Sequence, residues 1–341
     1  MKVMAFERQG GAEVLEYREL PNPKAGPGQV VVRLRAASVN RLDIWIRQRL
    51  PGVEPIPHVV GSDGAGEVAE AGPGVVDVKV GDRVCIYNGL SCGRCEYCVA
   101  GEDNVCARFQ LLGWKTQGTY AQRIALPAAN VIPMPPNVTF EKAAAFPLTF
   151  LTSWHLLVTQ AGLRAGERVL VHAAGSGIGS AAIQIAKLCG ATVIATAGSE
   201  AKLKKARELG ADETALYTTP DWPDAVLKWT GGRGVDVVFE HIGPPTFEPN
   251  LSCMANNGRM LVVGASAGPR AEFELRPLYM RQLRIIGSIL GTRRELMEVA
   301  RLVAEGKLKV IIDSTFALKD AAAAHHRMES RDLFGKIVLT I

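Results

Sequence analysis

Residues 168–187 read Arg-Val-Leu-Val-His-Ala-Ala-Gly-Ser-Gly-Ile-Gly-Ser-Ala-Ala-Ile-Gln-Ile-Ala-Lys, and this stretch decides the fold. It begins with a short apolar run typical of a buried strand and ends with the apolar spacing of a helix. The turn between them reads Ala-x-Ser-x-x-Gly from residue 174, so two of the three usual glycines are substituted. A glycine-rich turn of this kind lets a pyrophosphate approach the backbone and the helix N-terminus. It predicts a dinucleotide site that includes Gly175, Ser176, Gly177 and Ile178, the alternative being a tight turn without a ligand.

Apolar runs of the same kind follow along the chain and alternate with helical stretches. They are residues 192–195, 235–239 and 260–263. Short buried strands separated by helices are typical of a parallel sheet wound by right-handed crossovers. Residues 151–287 are therefore predicted to form a doubly wound α/β domain.

The flanking segments have a different sequence pattern. Strand-like runs at residues 30–34, 75–84 and 120–126 are broken by Pro-Gly and Gly-Pro turns, which predicts an antiparallel, β-rich domain over residues 1–150. A helix is predicted at residues 139–143. The last segment, residues 288–341, is predicted to rejoin the first domain through helices at 293–305 and 321–328 and a strand at 336–341.

Four cysteines lie in one short loop, in the pattern Cys-Gly-Arg-Cys-Glu-Tyr-Cys-x7-Cys. They are Cys92, Cys95, Cys98 and Cys106. Four thiolates complete a tetrahedron around a soft metal and leave no position open for water or substrate. We predict one structural Zn2+ in a lobe of about residues 90–108. Two disulfides or unpaired thiols are the alternatives, and disulfides are rare in intracellular proteins.

Composition limits the class of protein. The 341 residues are 48% hydrophobic and carry a net charge of +5. Those values suit a folded enzyme of about two domains and give little reason to expect a nucleic-acid partner. The N-terminal residues enter a strand pattern directly, and no apolar run approaches the length of a membrane span. We expect a cytoplasmic protein with no nucleic-acid or membrane partner.

The second strand of the predicted parallel sheet ends in Ala197-Gly198-Ser199. An NAD-specific site would carry a carboxylate there to hold the adenosine ribose. Ser199 instead offers a hydroxyl, and Lys202 and Tyr217 follow, so a pocket for a 2'-phosphate is expected. The sequence thus favours NADPH over NADH. The alternative for the lysines at 202, 204 and 205 is a solvated helix face.

Together with the four-cysteine loop, these features resemble the medium-chain dehydrogenase/reductase superfamily over essentially the whole chain. The resemblance implies a GroES-like catalytic domain interrupted by a Rossmann domain. Zinc alcohol dehydrogenases of that superfamily hold a second, catalytic zinc with a cysteine, a histidine and a later cysteine or acid. Here the first two places carry Asn40, in Asn-Arg-Leu-Asp, and Ser62, in Gly-Ser-Asp. Residues 146–149 offer no thiolate or carboxylate for the third.

Without such ligands a catalytic Zn2+ is not held, and alcohol oxidation loses its Lewis acid. The two motifs resemble instead the quinone oxidoreductase and ene-reductase branches, which use NADPH without a catalytic metal. In those branches a lysine and a tyrosine fifteen residues apart bind the 2'-phosphate. Lys202 and Tyr217 have the same separation. The resemblance implies hydride transfer to a small-molecule quinone or α,β-unsaturated carbonyl compound.

The resemblance also implies roles for individual residues. Asn40 is expected to contact the nicotinamide and donate a hydrogen bond to the substrate carbonyl. Trp45 is expected to line the substrate pocket, since an indole N–H is too weak an acid to supply a proton. Lys336 is expected at a cofactor phosphate. Further cofactor contacts are expected from Thr152, His241, Ile242, Gly264, Ala265, Ser266, Ser288 and Leu290. No proton donor is identified, and solvent is one source.

Two other functions fit the sequence. One is an NAD(P)-dependent alcohol dehydrogenase with an unconventional metal site that uses Asp43, Asp63 or His58. The other is a non-catalytic dinucleotide-binding protein. The sequence does not choose among quinones, enones, enoyl thioesters and aldehydes as substrates. A homodimer or homotetramer is what the resemblance implies.

Overall fold

The computed structural model describes residues 1–341, which form two compact units. Unit 1 comprises Met1–Leu151, Thr292–Gly306 and Val310–Ile341. Unit 2 comprises Thr152–Gly291 and Lys307–Lys309. The chain of unit 1 is therefore interrupted by unit 2. No helix combines the length and the apolar character needed to cross a membrane.

The strands, in chain order, are β1 (Lys2–Phe6), β2 (Glu16–Glu19), β3 (Gln29–Val39), β4 (His58–Val59), β5 (Asp63–Ala71), β6 (Arg83–Ile86), β7 (Gly89–Leu90), β8 (Gln110–Leu111), β9 (Arg123–Pro127), β10 (Val131–Pro133), β11 (Arg168–Val171), β12 (Thr192–Ala197), β13 (Glu213–Leu216), β14 (Val235–Glu240), β15 (Met254–Val262), β16 (Arg284–Gly287), β17 (Ile312–Ala317) and β18 (Lys336–Thr340).

The α-helices are α1 (Arg41–Gln48), α2 (Glu96–Val99), α3 (Phe140–Ala145), α4 (Pro147–Trp154), α5 (Gly177–Leu188), α6 (Glu200–Glu208), α7 (Trp222–Trp229), α8 (Pro244–Cys253), α9 (Leu275–Met280), α10 (Arg293–Ala304) and α11 (Ala321–Glu329). A π-helix, His155–Gln160, continues from α4.

Unit 1 is built on a seven-stranded sheet in which β3 is the central strand. The order is β10-β6-β5-β3-β18-β17, and β9 also pairs with β3. Apolar residues of β3 are buried along nearly its whole length. The last strand, β18, pairs antiparallel with β3, as Ile337 lies opposite Val39. The predicted β-rich fold is confirmed.

One predicted strand of unit 1 is wrong over most of its length. Residues 75–82 form an irregular loop, and only Arg83–Ile86 is a strand. Val75 and Val78 pack against the core cluster that includes Val68 and Val84. Apolar residues in a loop that covers a core therefore give the same local pattern as a strand, and the sequence alone does not separate the two cases.

Unit 2 contains a six-stranded sheet in which every pair of neighbours is parallel. The order is β13-β12-β11-β14-β15-β16, so the third, second and first strands are followed by the fourth, fifth and sixth. This is the strand order of a Rossmann domain, in which ligands bind beyond the carboxyl ends of the strands where the order reverses. The predicted doubly wound sheet is confirmed, and its switch point lies between β11 and β14.

Candidate active site

The turn between β11 and α5 has the geometry of a phosphate-binding turn. Ser176 caps α5, because its hydroxyl accepts a hydrogen bond from the Gly179 amide at 2.9 Å. The hydroxyl itself donates to the Ala173 carbonyl at 2.8 Å. The first amides of the helix, those of Gly177 and Ile178, have no intrahelical acceptor and carry the positive end of the helix dipole. This end of α5 suits an anion.

Of the three glycines usual in this turn, the chain keeps only Gly179, and the structure requires a glycine there. A Cβ at this position would lie 2.4 Å from the Ala173 carbonyl oxygen, far inside van der Waals contact. Helix α5 therefore approaches its strand closely only because residue 179 has no side chain. The substituted positions, Ala174 and Ser176, face no such limit.

The end of β12 brings together the residues predicted for the 2'-phosphate. The ring of Tyr217 lies against Gly198, since a Cβ on Gly198 would be 3.0 Å from the Tyr217 hydroxyl oxygen. Ser199 is the N-cap residue of α6 but makes no capping hydrogen bond with its side chain. Lys202 is half-buried in the first turn of that helix, and the nearest acid in sequence, Glu200, is exposed.

The end of β14 is organised by a fully buried carboxylate that the sequence analysis did not identify. Glu240 Oε1 accepts from the amides of Ile242, at 2.5 Å, and Gly243, at 2.8 Å. Its Oε2 accepts from the Thr246 hydroxyl at 2.8 Å and from Asn250 Nδ2 at 2.5 Å. Four donors and the N-terminus of α8 thus stabilise an anion at the base of the His241–Gly243 loop.

Asn250 extends this network to the neighbouring strands. Its Oδ1 lies 2.7 Å from His172 Nε2, and His172 Nδ1 lies 2.8 Å from the Thr196 hydroxyl. His241 turns inward, with Nε2 3.0 Å from the His172 carbonyl, and burial lowers the pKa of both histidines. Hydrogen bonds to buried side chains therefore hold the backbone of this loop in place.

The loops after β14 and β15 are joined to each other. The Ser266 amide donates to the His241 carbonyl at 3.2 Å, and the Ala267 amide donates to the Ile242 carbonyl at 2.8 Å. Gly264 also lies against His241. Beyond β16, Leu290 is buried and adopts a left-handed φ of 53°, which is unfavourable for leucine. The structure thus brings the predicted contacts at 241–242 and 264–266 together at one edge of the sheet.

Unit 1 contains a second group of predicted residues, centred on Asn40. Asn40 follows β3 directly, caps α1 and is 4% exposed. Its Nδ2 donates to Ser62 Oγ at 3.1 Å and to Asp63 Oδ2 at 2.9 Å, and its Oδ1 accepts from Lys336 Nζ. All of the side chain's hydrogen-bonding atoms are therefore engaged, and Asn40 reaches a substrate oxygen only by exchanging a partner.

Asp63 and Lys336 form a buried ion pair within this group. Lys336 Nζ lies 3.3 Å from Asp63 Oδ2, and the side chains of Lys336 and Asp63 are 3% and 0% exposed. Asp63 also accepts from Ser38 Oγ at 3.2 Å and from the Leu148 amide at 3.0 Å. Burial lowers the pKa of Lys336, and the Asp63 carboxylate opposes that shift. The phosphate contact expected of Lys336 stays a prediction; its partners here are Asp63 and Asn40.

Asp43 is a second buried carboxylate of the same group and was not predicted as part of a metal-free site. It accepts from the backbone amide of Asn40 at 2.8 Å, from Ser62 Oγ at 3.3 Å and from the Tyr120 hydroxyl at 3.4 Å. No lysine or arginine forms an ion pair with it. Burial raises the pKa of Asp43 to about 7. Two acids therefore share this region with one ammonium group, and we name these residues (Asn40, Asp43, Ser62, Asp63 and Lys336) the Asn40 cluster.

The Asn40 cluster does not fit a catalytic zinc. It offers amide, hydroxyl and carboxylate oxygens and no thiolate or imidazole, which are the ligands that zinc prefers. Asn40 Oδ1 and Asp63 Oδ2 are already bonded to the Lys336 ammonium. His58, proposed for an unconventional metal site, directs Nε2 to the Gly113 carbonyl at 2.9 Å.

The four cysteines do fit a zinc ion. Their sulfur atoms all lie within 4.8 Å of one another, and Cys95 Sγ is 3.5 Å from Cys98 Sγ and 3.8 Å from Cys106 Sγ. Tetrahedral Zn–S bonds of about 2.3 Å place sulfurs about 3.8 Å apart. Backbone amides at Cys98 and Ala107 lower the pKa of Cys95 to about 6, whereas desolvation raises the pKa of Cys98 to about 11, so Cys95 is the ligand that most readily forms the thiolate a metal binds.

Two further predicted residues lie outside the hydrogen bonds that define the Asn40 cluster. Trp45 is half-buried in α1, on the turn after Asn40. Thr152 is buried in α4, where unit 2 begins. Their roles stay predictions.

Two known protein families match separate parts of the chain. Residues 26–136 match the alcohol dehydrogenase GroES-like domain, and residues 177–305 match the zinc-binding dehydrogenase family. Three curated relatives cover almost the whole of both chains: a quinone oxidoreductase of Pseudomonas aeruginosa (33% identical; 99% of each chain), an alcohol dehydrogenase of Geobacillus stearothermophilus (33%; 96% of each) and a 2-haloacrylate reductase of a Burkholderia species (32%; 98% and 97%).

Solved structures give the same two classes. An NAD-dependent alcohol dehydrogenase is 50% identical with a TM-score of 0.97, and each chain is covered completely. Escherichia coli quinone oxidoreductase in complex with NADPH is 30% identical with a TM-score of 0.87, again with complete coverage of both chains. The relatives are named for reduction of quinones and acrylates and for oxidation of alcohols, so their names do not decide between these reactions.

Proposed function

We propose a function from one premise, that the chain belongs to the medium-chain dehydrogenase/reductase superfamily and is an oxidoreductase of that superfamily. Within it, the function that the Asn40 cluster supports best is NADPH-dependent hydride transfer to a quinone or an α,β-unsaturated carbonyl compound without a catalytic metal. The observation that carries the proposal is the Lys336 ammonium bonded to Asn40 and Asp63. A fixed cation and neutral donors stabilise negative charge that develops on a carbonyl oxygen.

The roles of the chain's residues follow from that reaction. The bound dinucleotide supplies the hydride. The α5 N-terminus and the joined loops at 241–242 and 264–266 bind and orient it, and Thr152, Ser288 and Leu290 are proposed to complete its site. Asn40 is proposed to donate to the substrate oxygen after exchanging a partner. Trp45 is proposed to pack against a flat substrate.

The cofactor preference is proposed from the end of β12. A 2'-phosphate meets the hydroxyls of Ser199 and Tyr217 and the ammonium of Lys202, and no carboxylate ends the strand. Such groups bind a phosphate by charge-assisted hydrogen bonds. The quinone oxidoreductase relative that binds NADPH supports the same choice.

Alcohol oxidation with NAD is the second candidate, and a specific finding favours it. The relative that is 50% identical is named an NAD-dependent alcohol dehydrogenase. That reaction needs a group that acidifies the alcohol, and the oxygen ligands of the Asn40 cluster are a poor match for zinc. The metal content of the protein therefore discriminates between the two candidates.

The decisive experiment combines a metal count with activity. Zinc per chain is measured on purified protein, and rates are measured for NADPH and NADH oxidation with a quinone and an enone and for NAD(P)+ reduction with alcohols. The proposal predicts about one zinc per chain, held by the cysteines, and NADPH-preferring reduction. About two zincs with alcohol oxidation would establish the second candidate. No turnover with any substrate pair would leave a dinucleotide-binding protein.

We also propose a homodimer formed along β16. This strand has a neighbour on one side only, so its other edge is open. Nearby apolar side chains are unusually exposed: Leu275, Tyr279, Met280, Ile285 and Ile289. An open edge beside exposed apolar residues suits pairing with the same strand of a second copy.

A further inference from the structure

The Asn40 cluster contains more acid than base. Two buried carboxylates, Asp43 and Asp63, face one ammonium group, that of Lys336. Because two buried anions beside one cation leave an uncompensated charge, the stable arrangement keeps one acid neutral. Asp63 has the ion pair and three further donors, whereas Asp43 has three donors and no cation. The proton therefore belongs to Asp43.

Hydrogen bonds determine which oxygen of Asp43 carries that proton. Oδ2 accepts from two donors, the Asn40 amide and the Tyr120 hydroxyl. The other partner of the Tyr120 hydroxyl is His325, and it does not accept a hydrogen bond from Tyr120. Arg47 donates to Nδ1 of His325, so Nε2 of that ring carries the hydrogen and donates to the Tyr120 oxygen. Oδ1 faces only Ser62 Oγ, at 3.3 Å. The proton of Asp43 consequently lies on Oδ1 and points at Ser62.

A protonated Asp43 changes what Ser62 donates to. Ser62 Oγ then accepts from Asp43 Oδ1 and from Asn40 Nδ2, which is 3.1 Å away, and its own hydrogen has no acceptor in the cluster. Asn40 and Lys336, at 4% and 3%, are the members of the cluster with any exposed surface. A substrate oxygen that arrives on that side meets Asn40 and Lys336 first, and Ser62 Oγ lies behind Asn40 Nδ2.

We propose that the substrate's carbonyl oxygen inserts between Asn40 Nδ2 and Ser62 Oγ, and that Asp43 supplies, through Ser62, the proton that completes the reduction. The inference rests on the proposed reductase function and names its acid. The hydride adds to the electron-poor carbon, and the displaced electron pair moves to the oxygen. The Ser62 O–H bond breaks to protonate that oxygen, and the Asp43 O–H bond breaks to restore the Ser62 hydroxyl. The products are an enol, which in the case of a quinone substrate tautomerises to the hydroquinone, and an Asp43 carboxylate, which solvent reprotonates after release.

The pH dependence of the step follows from the groups that face Asp43. They are Lys336 from β18, Asp63 from β5, Tyr120 from the segment before β9, His325 from α11 and Arg47 from α1 itself. Desolvation and the Asp63 charge raise the Asp43 pKa to about 7, and Lys336 opposes the shift. His325 stays neutral, since burial and Arg47 lower its pKa to about 3. A pKa of about 7 makes Asp43 an acid that can release its proton near neutral pH.

The test compares Asp43→Asn and Ser62→Ala with wild type, using NADPH and the quinone or enone that the wild type reduces. In Asp43→Asn the introduced amide can still donate to Ser62 but has no proton to release, so kcat should fall about 100-fold and the loss of activity above about pH 7 should disappear. Ser62→Ala should lower kcat similarly while the Kd for NADPH, measured by fluorescence, stays within about twofold of wild type. Asp77→Asn, the same change in an exposed bend, should keep the wild-type pH profile.

The outcomes separate this inference from the function beneath it. If the wild type reduces the substrate and Asp43→Asn keeps both its rate and its pH profile, Asp43 is not the acid although the reductase function stands. If the wild type reduces no quinone or enone, the proposed function fails, and the infrared difference between wild type and Asp43→Asn then tests the protonation alone. A protonated-carboxyl band at neutral pH supports the charge argument, and a carboxylate band at that pH overturns it.

Discussion

Lys336, the first residue of β18, donates a hydrogen bond to Oδ1 of Asn40, which directly follows β3 and lies 296 residues earlier in the chain. The same ammonium group is paired with Asp63. The chain thus places a buried positive charge beside Asn40 and Asp63.

Removing that charge should destabilise unit 1. Lys336→Met leaves the Asp63 carboxylate buried without its cation, a change that typically costs about 3–5 kcal/mol. The midpoint of urea unfolding should fall accordingly. Lys319→Met, the same substitution at an exposed site, serves as the control. Equal midpoints for the two variants would show that Asp63 does not depend on this pair.

Lys202 should contribute affinity for NADPH but not for NADH. A charge-assisted hydrogen bond to a phosphate contributes about 1.5–3 kcal/mol, so Lys202→Ala should raise the Kd for NADPH about 10- to 100-fold. Lys204, exposed two residues further along α6, provides the matched variant Lys204→Ala. A loss of NADH affinity as large as the loss of NADPH affinity would contradict a 2'-phosphate contact.

Replacing Glu240 with glutamine should destabilise the protein. In Glu240→Gln an amide N–H replaces an oxygen that accepts from Thr246 and Asn250, so donors face a donor. We expect a loss of about 1–3 kcal/mol in the free energy of unfolding. Glu208→Gln, at an exposed position on α6, should have little effect. Thermal unfolding of both variants checks this, and indistinguishable transitions would refute it.

Asp43 should make stability depend on pH with a definite sign. Its folded-state pKa is raised to about 7, above the unfolded value, so the folded chain holds the proton more tightly. The stabilisation is complete below the unfolded pKa and is lost as pH rises through about 7. Asp43→Asn lacks this dependence, so wild type should lose stability relative to the variant between about pH 4 and pH 8. Parallel curves of unfolding free energy against pH would argue against a raised pKa.

Ile285, on the open edge of β16, should be required for assembly. A lysine there introduces charge where a second strand would pair, so Ile285→Lys should halve the mass measured by light scattering. Val76→Lys, at an 86% exposed position in unit 1, should leave the mass unchanged. A wild-type monomer, or a dimer unaffected by Ile285→Lys, would exclude this edge.

The sequence predicted some parts of the structure and not others for physical reasons. Parallel strands are buried on both faces, so continuous apolar runs such as Val169–Val171 can be recognised as strands from composition alone. The cysteine lobe was equally visible because its ligands lie within one loop. The partnership of Asp63 with Lys336 spans 273 residues and depends on the pairing of β3 with β18, which no local pattern encodes. Glu240 was missed because a buried acid at a strand end looks like any surface glutamate in sequence.

The interrupted order of unit 1 also sets a sequence of events during synthesis. β3 needs β18 as a neighbour, yet β18 is made last, after all of unit 2 has been translated. Domains generally fold as units while the chain emerges. The nucleotide-binding unit can therefore be complete on the ribosome while the neighbouring sheet still lacks a strand. Because that missing strand carries Lys336, the buried pair between Lys336 and Asp63 can form only after unit 2 has been translated.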